Sequence, residues 1–258
     1  MLELITSYSL SQVPYIHDSA LEEYAEKIVL DFSPDILLAP QPFDAEGFVE
    51  YYLGLEVEYR RIRYDRRVLG MTAFNTGFIQ VINEETGLTE PFDVTAGTIV
   101  VDPILTQKRN QPRMRFTITH EGCHWLMHRL AFAEDNPLNR VNIYENQYLA
   151  AKAGRIDYSR CQEERTDIQR IERQADFLAS AILMPKDPLR MAYCDFFKFY
   201  GEKPWHRIVR GSSDIANAYA KMLPKYIAKQ FNVSKRAATI RLEKLTAIVD
   251  KPCMGFRV

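Results

Sequence analysis

The residues best suited to chemistry in this sequence are His120, Glu121 and His124, which form a His-Glu-x-x-His motif. Residues four apart project from the same face of a helix, so the two imidazoles can point at one metal ion. The carboxylate beside the first histidine can then act as general base toward a water molecule. The motif indicates a zinc-dependent hydrolase. Because three fixed residues also recur by chance, the surrounding sequence has to decide whether this match marks a metal site.

A second pair of polar residues, Glu172 and Asp176, is also spaced by four, in a helical run that Pro185 ends. One carboxylate can serve as a third zinc ligand, while the other accepts the free N–H of a ligating histidine. Three protein ligands leave the fourth position of a zinc ion open. Taken alone, the pair is an ordinary solvated helix face; beside the first motif, the metal-site interpretation is favoured.

Together the two motifs resemble those of the ImmA/IrrE family of zinc metallopeptidases. The resemblance covers about residues 20–185. It is carried by Arg115-Phe-Thr-Ile-Thr-His-Glu-x-x-His124, Glu172-Arg-Gln-Ala-Asp-Phe-Leu-Ala179 and Leu183-Met-Pro185. These paired motifs, in this order, are much more specific than either motif alone.

The resemblance implies a cytoplasmic, gluzincin-like endopeptidase that hydrolyses peptide bonds through a metal-activated water. The implied site consists of the Zn²⁺ ligands His120, His124 and Glu172, the general base Glu121, and Asp176 behind a ligating histidine. The implied partner is a protein substrate, a helix-turn-helix repressor whose cleavage releases stress or mobile-element genes. Two histidines and a carboxylate also suit other divalent metals.

Two positions near the motif need their own interpretation. Family members usually carry a small or apolar residue and then Gly before the second histidine, whereas this chain has Gly122-Cys123. We expect the thiol to be a small buried group, with oxidation or competition for the metal as the alternative. His128 extends the four-residue spacing, but the helical rise carries it too far along the axis to share one ion. We expect it to pack or to support a ligand.

The composition fits a globular enzyme and excludes several other classes. The chain has 258 residues, 47% hydrophobic and 26% charged, which suffices for one large or two small domains. A formal net charge of -1 gives no overall attraction to nucleic acid or an anionic membrane. The four cysteines form no C-x-x-C pair, which fits reducing cytoplasm. No leader pattern or long apolar run occurs, so we expect no membrane partner.

The sequence pattern of the elements that must position these residues predicts an α+β fold. A small, mainly antiparallel sheet within residues 68–101 precedes the catalytic helix. The expected elements before that helix are helices at 19–32 and 45–52 and strands at 55–59, 78–82 and 98–101. Strand 98–101 is expected to be either the edge that binds a peptide substrate or an internal core strand. We expect a mainly helical metallopeptidase domain over 1–200 and a helical C-terminal region over 201–258.

The segment between the metal motifs, residues 133–165, is polar and is expected to form loops or an insert over the cleft. It contains Tyr144, Tyr148 and Tyr158. A tyrosine there could stabilise an oxyanion, but nothing in the sequence selects one of the three.

The C-terminal region contains a helix-turn-helix-like segment at 227–245, with a turn at Asn232 and an N-cap at Ser234. Residues 221–250 hold seven basic side chains against two acidic ones: Lys221, Lys225, Lys229, Lys235, Arg236, Arg241 and Lys244 against Glu243 and Asp250. This surplus leaves open a contact with DNA phosphates, although helices packed on the peptidase are favoured. The alternative function is therefore a DNA-binding regulator or sensor with a structural metal site.

Overall fold

A computed structural model describes residues 7–8, 13–132 and 167–250, with helices and small sheets that confirm the α+β class. The chain divides into two compact units, Met1–Ile28 with Asp44–Ala179 and Val29–Phe43 with Ser180–Val258. The boundary at residue 200 stays a prediction, because compactness does not test which part folds alone. The expected insert at 133–165, with its three tyrosines, lies outside the described residues.

The first unit carries most of the helices around the predicted site. It begins with β1 (Ser7–Tyr8) and β2 (Pro14–Tyr15), which pair antiparallel, and its helical elements include α1 (Asp18–Phe32), α2 (Ala45–Gly47), a π-helical turn (Phe48–Tyr52), α3 (Gln111–His128) and α4 (Asp167–Leu183). The last residues of α1 and α4 belong to the second unit. The predicted helices at 19–32 and 45–52 are confirmed, although the second begins as an α-helix and ends as a π-helix.

The later strands of the first unit form a three-stranded sheet and a hairpin. The sheet consists of β3 (Glu56–Tyr59), β7 (Thr98–Val101) and β4 (Gly70–Thr72), in that order. The hairpin pairs β5 (Gly77–Ile82) with β6 (Thr89–Val94). Because β3 runs parallel to β7 and β4 runs antiparallel to it, the sheet is mixed. The expectation of mainly antiparallel pairing within residues 68–101 is confirmed by β4 with β7 and by the hairpin, and the parallel strand β3 lies before that range.

β7 is the internal strand of its sheet, so its interpretation as a substrate-binding edge is wrong. Its backbone is paired on one side with β3 and on the other with β4. All four of its residues are buried, as expected for a central strand covered on both faces. β4 lies at one edge of the sheet beside α3, and its residues are buried too.

The second unit contains a pair of helices joined by a short turn and, before them, another helix. Its elements are α5 (Lys186–Phe199), β8 (Ile208–Arg210), α6 (Asp214–Phe231), α7 (Lys235–Lys244) and β9 (Ile248–Asp250). Asn232 adopts the left-handed conformation that ends α6, and the Ser234 hydroxyl caps α7 by accepting from the Ala237 N–H. The predicted turn and cap are confirmed. Helix α6 is longer than expected, because the Ser213 side chain caps its start before Asp214 and Pro224 is accommodated inside the helix.

The structure also adds a feature that the helical C-terminal prediction lacked. β8 and β9 form a parallel pair that brackets α6 and α7. Arg210 on β8 forms ion pairs with Glu243 and with Asp250, the two acidic residues of the segment 221–250. Of the helices in the described part of the chain, none combines the length and apolar composition that a membrane crossing needs.

Arg241 is buried, in contrast to the other basic side chains of the segment 221–250. It is 1% exposed, and its Nε donates to the Met184 carbonyl at 3.1 Å, just beyond the end of α4. A cation at the C-terminus of a helix satisfies a carbonyl that the helix leaves open and opposes the helix dipole. Arg241 therefore belongs to the interior of the second unit, and its inclusion among phosphate-contacting side chains is wrong.

Replacing Arg241 with Ala should destabilise the second unit by about 2–4 kcal/mol, because a cavity forms and a buried carbonyl loses its donor. Urea unfolding can be followed through Trp205, which packs on Phe197 and Tyr219, in a Trp125→Phe background. The matched control is Lys244→Ala, an exposed residue of the same helix that should change stability by less than about 0.5 kcal/mol. Equal effects of the two variants would contradict a structural role of Arg241.

Candidate metal centre

Helix α3 presents the His-Glu-x-x-His motif on its buried side. Pro112 lies in the first turn of the helix, where its missing N–H costs nothing. Gly122 lets the π-helical turn approach closely, because a Cβ there would meet Val49 Cγ1 at 2.9 Å and Leu53 Cδ1 at 3.1 Å. A glycine inside a helix costs helix propensity, so tertiary packing keeps this turn of α3 in place.

Helix α4 supplies the second set of polar groups. Glu172, Gln174 and Asp176 lie near its middle, in a helix whose apolar residues Ile171, Leu178 and Ile182 are buried. The helix ends at Leu183, directly before Met184-Pro185. A proline at this point cannot extend the helical hydrogen bonding, so the predicted stop is confirmed.

The two helices bring His120, His124 and Glu172 together. Each is 3% exposed. The two Nε2 atoms are 2.9 Å apart, and each lies 3.5 Å from an oxygen of Glu172. One ligand atom from each residue falls within a group no wider than 4.8 Å, a spacing at which the three residues could hold one metal ion.

This donor set fits a small divalent cation. Four ligands about 2.0–2.1 Å from a tetrahedral ion are about 3.3 Å from one another, and the observed separations lie on both sides of that value. Within the described residues, Glu172 Oε2 is buried without a hydrogen-bond partner. A buried carboxylate oxygen without a donor is costly unless a cation neutralises it. Two imidazoles and a carboxylate suit zinc and several other divalent ions, so the donor set alone does not identify the metal.

Asp176 lies behind His120, where the sequence predicted a carboxylate partner. Its Oδ1 is 3.0 Å from His120 Nδ1, which leaves Nε2 directed at the ligand group. Burial lowers the pKa of His120, but the nearby carboxylates of Asp176 and Glu172 outweigh burial and hold that pKa well above its usual value. The structure thus concentrates negative charge around one imidazole, as a cation site requires.

Glu121, the residue that follows His120 on α3, contacts Thr72 of β4. The Thr72 hydroxyl lies 2.8 Å from Glu121 Oε2 and 3.0 Å from the Glu121 carbonyl oxygen, so its one proton serves both acceptors. Gly70 makes room for this carboxylate, because a Cβ there would lie 3.0 Å from Glu121 Oε1 and 2.4 Å from Thr117 Cγ2. Burial raises the pKa of Glu121 to about 7, against the opposing effects of the His120 charge and the Thr72 hydrogen bond.

A second chain of contacts runs from His124 away from the ligand group. His124 Nδ1 is 3.1 Å from His128 Nδ1, and His128 Nε2 is 2.9 Å from Gln174 Oε1. The Gln174 amide then donates to the Pro14 carbonyl at 2.7 Å. His128 and Gln174 are both fully buried. Burial lowers the pKa of His128 to about 4. The structure places His128 behind a ligand candidate, in agreement with its expected supporting position.

Cys123 is fully buried and does not belong to the ligand group. Burial raises the pKa of its thiol well above the usual value, so the group is neutral at ordinary pH. A neutral, solvent-inaccessible thiol is a poor metal ligand and a poor target for oxidants. This environment favours the expectation of a small buried residue over that of a competing ligand.

Sequence reasoning missed Thr72 and Gln174. Thr72 lies on a three-residue strand far from the motifs, and no local pattern links it to Glu121. Gln174 had a weak signal, because it lies between Glu172 and Asp176 in a helix where the structure buries it completely. A glutamine two residues from a ligand candidate would ordinarily be assigned to the solvated face.

Comparison of the chain with models of known protein families gives no match, and comparison with curated proteins gives none either. The geometry and chemistry of the site are therefore the basis for its functional interpretation.

If the three residues hold an ion, the purified protein should retain about one zinc per chain after dialysis. His120→Ala and Glu172→Gln should lose the metal, because each removes one of the three donors. The measurement is elemental analysis, with circular dichroism to show that the variants remain folded. The matched control is Cys123→Ala, a buried change on the same helix that should keep the metal. A wild-type protein without metal, or a Glu172→Gln variant that binds as well as wild type, would exclude the site.

Proposed function

We propose that this protein is a zinc-dependent endopeptidase in which His120, His124 and Glu172 hold the metal. The observation that carries the proposal is the buried group of three donors with a fourth polar group, Glu121, on the turn of helix between the two histidines. A purely structural site would need only ligands that saturate the ion. Three donors and an adjacent carboxylate are the arrangement of a hydrolytic site.

When bound, zinc would polarise a peptide carbonyl and lower the pKa of a water molecule. The residues of the chain have separate tasks around it. Glu121 accepts the proton of the attacking water and then delivers it to the leaving amine nitrogen. Thr72 holds the Glu121 carboxylate through its hydroxyl, so the base does not have to be ordered in each cycle. Asp176 orients the His120 ring through Nδ1.

Membership in the ImmA/IrrE family, cleavage of a helix-turn-helix repressor and a cytoplasmic location are part of the same proposal. Their support is the resemblance of the two motifs, with Leu183-Met-Pro185 after them, and the absence of closely spaced cysteine pairs. The surface that receives the substrate is not assigned to β7, since both edges of that strand are paired.

Glu121→Gln should abolish hydrolysis and keep the metal, because an amide cannot take the proton while the three donors remain. We expect a loss of at least about 100-fold in cleavage rate. The assay incubates zinc-loaded protein with a proteome-derived peptide library and with a helix-turn-helix protein encoded beside its gene. Mass spectrometry then scores new peptide termini.

The control for this assay is Glu85→Gln, which removes an exposed carboxylate of the same unit and should cleave like wild type. Metal content is measured on every sample. Cleavage by Glu121→Gln at the wild-type rate would remove Glu121 from the mechanism. If zinc-loaded wild type cleaves neither preparation, the endopeptidase proposal fails.

The alternative, a DNA-binding regulator, is supported by one observation in the second unit. Six of the seven basic side chains in 221–250 are exposed, while both acidic ones are paired with Arg210. Lys221, Lys225 and Lys229 follow one another at four-residue spacing on α6 and therefore share a face. Against it, Arg241 is buried, and few side chains that read base edges accompany the lysines.

The alternative predicts duplex DNA binding that weakens with salt, because phosphate contacts release counterions. Changing both Lys235 and Arg236 to Ala should weaken this binding and reduce the slope of log affinity against log salt by about two. Fluorescence anisotropy with a random duplex measures both quantities, and Lys27→Ala, an exposed change in the first unit, is the control. Absence of binding at physiological salt would count against a DNA-binding role.

A further inference from the structure

Elementary chemistry determines which group donates and which accepts in each hydrogen bond behind His124. The Pro14 carbonyl can only accept a hydrogen bond, so the nearby Gln174 nitrogen must donate to it at 2.7 Å. The opposite amide orientation would place two oxygen atoms against each other. The Gln174 oxygen therefore faces His128.

An amide oxygen only accepts, so His128 Nε2 must carry a hydrogen and donate it at 2.9 Å. His128 is fully buried, and its two nitrogens face a neutral amide and another imidazole. No charged group among these contacts would support a cationic ring in the interior, so the ring is neutral. A neutral ring with hydrogen on Nε2 has an unprotonated Nδ1.

The unprotonated Nδ1 of His128 lies 3.1 Å from His124 Nδ1. A hydrogen bond between them requires that His124 donates, which places the hydrogen of His124 on Nδ1. Its Nε2 then carries a lone pair, and this atom lies 2.9 Å from His120 Nε2 and 3.5 Å from Glu172 Oε1. One backbone carbonyl thus determines, through two buried side chains, which nitrogen of His124 is available to a metal.

We propose that Gln174 and His128 are positioning residues. They hold His124 in the tautomer whose Nε2 lone pair points toward the other two candidate metal ligands, His120 and Glu172. The inference rests on the proposed metal site, but not on peptidase activity. Partners behind a ligating histidine set both its orientation and its basicity. For His120 this partner is a carboxylate. For His124 it is a chain of hydrogen bonds, here called the relay, that runs from the Pro14 carbonyl of β2 through Gln174 to His128.

The test compares zinc affinity in variants matched for shape, by competition with a chromophoric chelator. His128→Asn keeps an oxygen acceptor near the Nδ1 position, whereas His128→Leu has the same shape without it. The Leu variant should bind zinc about 10–100-fold more weakly than wild type, and the Asn variant should retain most of the affinity. Equal losses in both variants would overturn the proposal, as would wild-type affinity in the Leu variant.

A double-mutant cycle tests whether Gln174 acts through His128. Gln174→Met should also weaken zinc binding, and adding it to His128→Leu should cause no further loss, because the relay is already broken. Independent, additive losses would mean that Gln174 acts only through general packing. Thermal unfolding of the metal-free variants separates loss of the fold from loss of affinity.

The tautomer itself is read from long-range ¹H–¹⁵N correlation spectra of wild-type protein stripped of metal by a chelator. Protonated and unprotonated ring nitrogens give separate signals, and we expect the His124 hydrogen on Nδ1. A hydrogen on His124 Nε2 would refute the relay. These readouts need no substrate, so the relay stands if zinc-loaded protein cleaves nothing. If wild type binds no zinc, both the peptidase proposal and the positioning role of Gln174 and His128 fall.

Discussion

Burial of polar side chains on α3 and α4 is the constraint on which the described architecture of the first unit depends. His120, Glu121, His124 and Glu172 are each at most 3% exposed. A buried imidazole or carboxylate is tolerated only when other groups satisfy it. The neighbouring elements can be understood as suppliers of those groups: β4 donates through Thr72, α4 provides Asp176 and Gln174, and β2 offers a backbone carbonyl.

The two histidines are supported in chemically different ways. His120 has a carboxylate partner, whose negative charge favours the positively charged form of that ring. The partner behind His124, at Nδ1, is the neutral His128, and burial, followed by the charge of His120, lowers the pKa of His124 well below its usual value. Because only His120 has a carboxylate at its Nδ1, both Nε2 atoms can be directed at one ion without a second negative charge behind the two rings.

Close approach at two glycines holds this turn of α3 between its neighbours. Gly122 admits the side chains of the π-helical turn, and Gly70 admits the Glu121 and Thr117 side chains against β4. The glycine that departs from the usual order of the resembled family therefore has a packing role here. It allows the π-helical turn to lie against the same turn of helix that carries the general base candidate.

Much of the local structure could be read from the sequence, because it depends on interactions between neighbouring residues. The four-residue spacing, the proline after α4, the turn at Asn232 and the cap at Ser234 all act within one or two helical turns. The helix positions of His120, His124, Glu172 and Asp176 followed from that spacing. Their meeting at one point was an expectation that rested on chemistry.

Contacts between residues far apart in the sequence were decided only by the tertiary structure. The parallel pairing of β3 with β7 turned a candidate edge into an internal strand, and the approach of α7 to the end of α4 buried Arg241. The relay from Pro14 to His124 depends on three segments meeting, and no periodicity records such a meeting. The sequence by itself determined that the segments with the candidate ligands form helices and which polar groups those helices carry, since local spacing sets both. The tertiary structure alone decided which of those groups are buried together, because that depends on long-range packing.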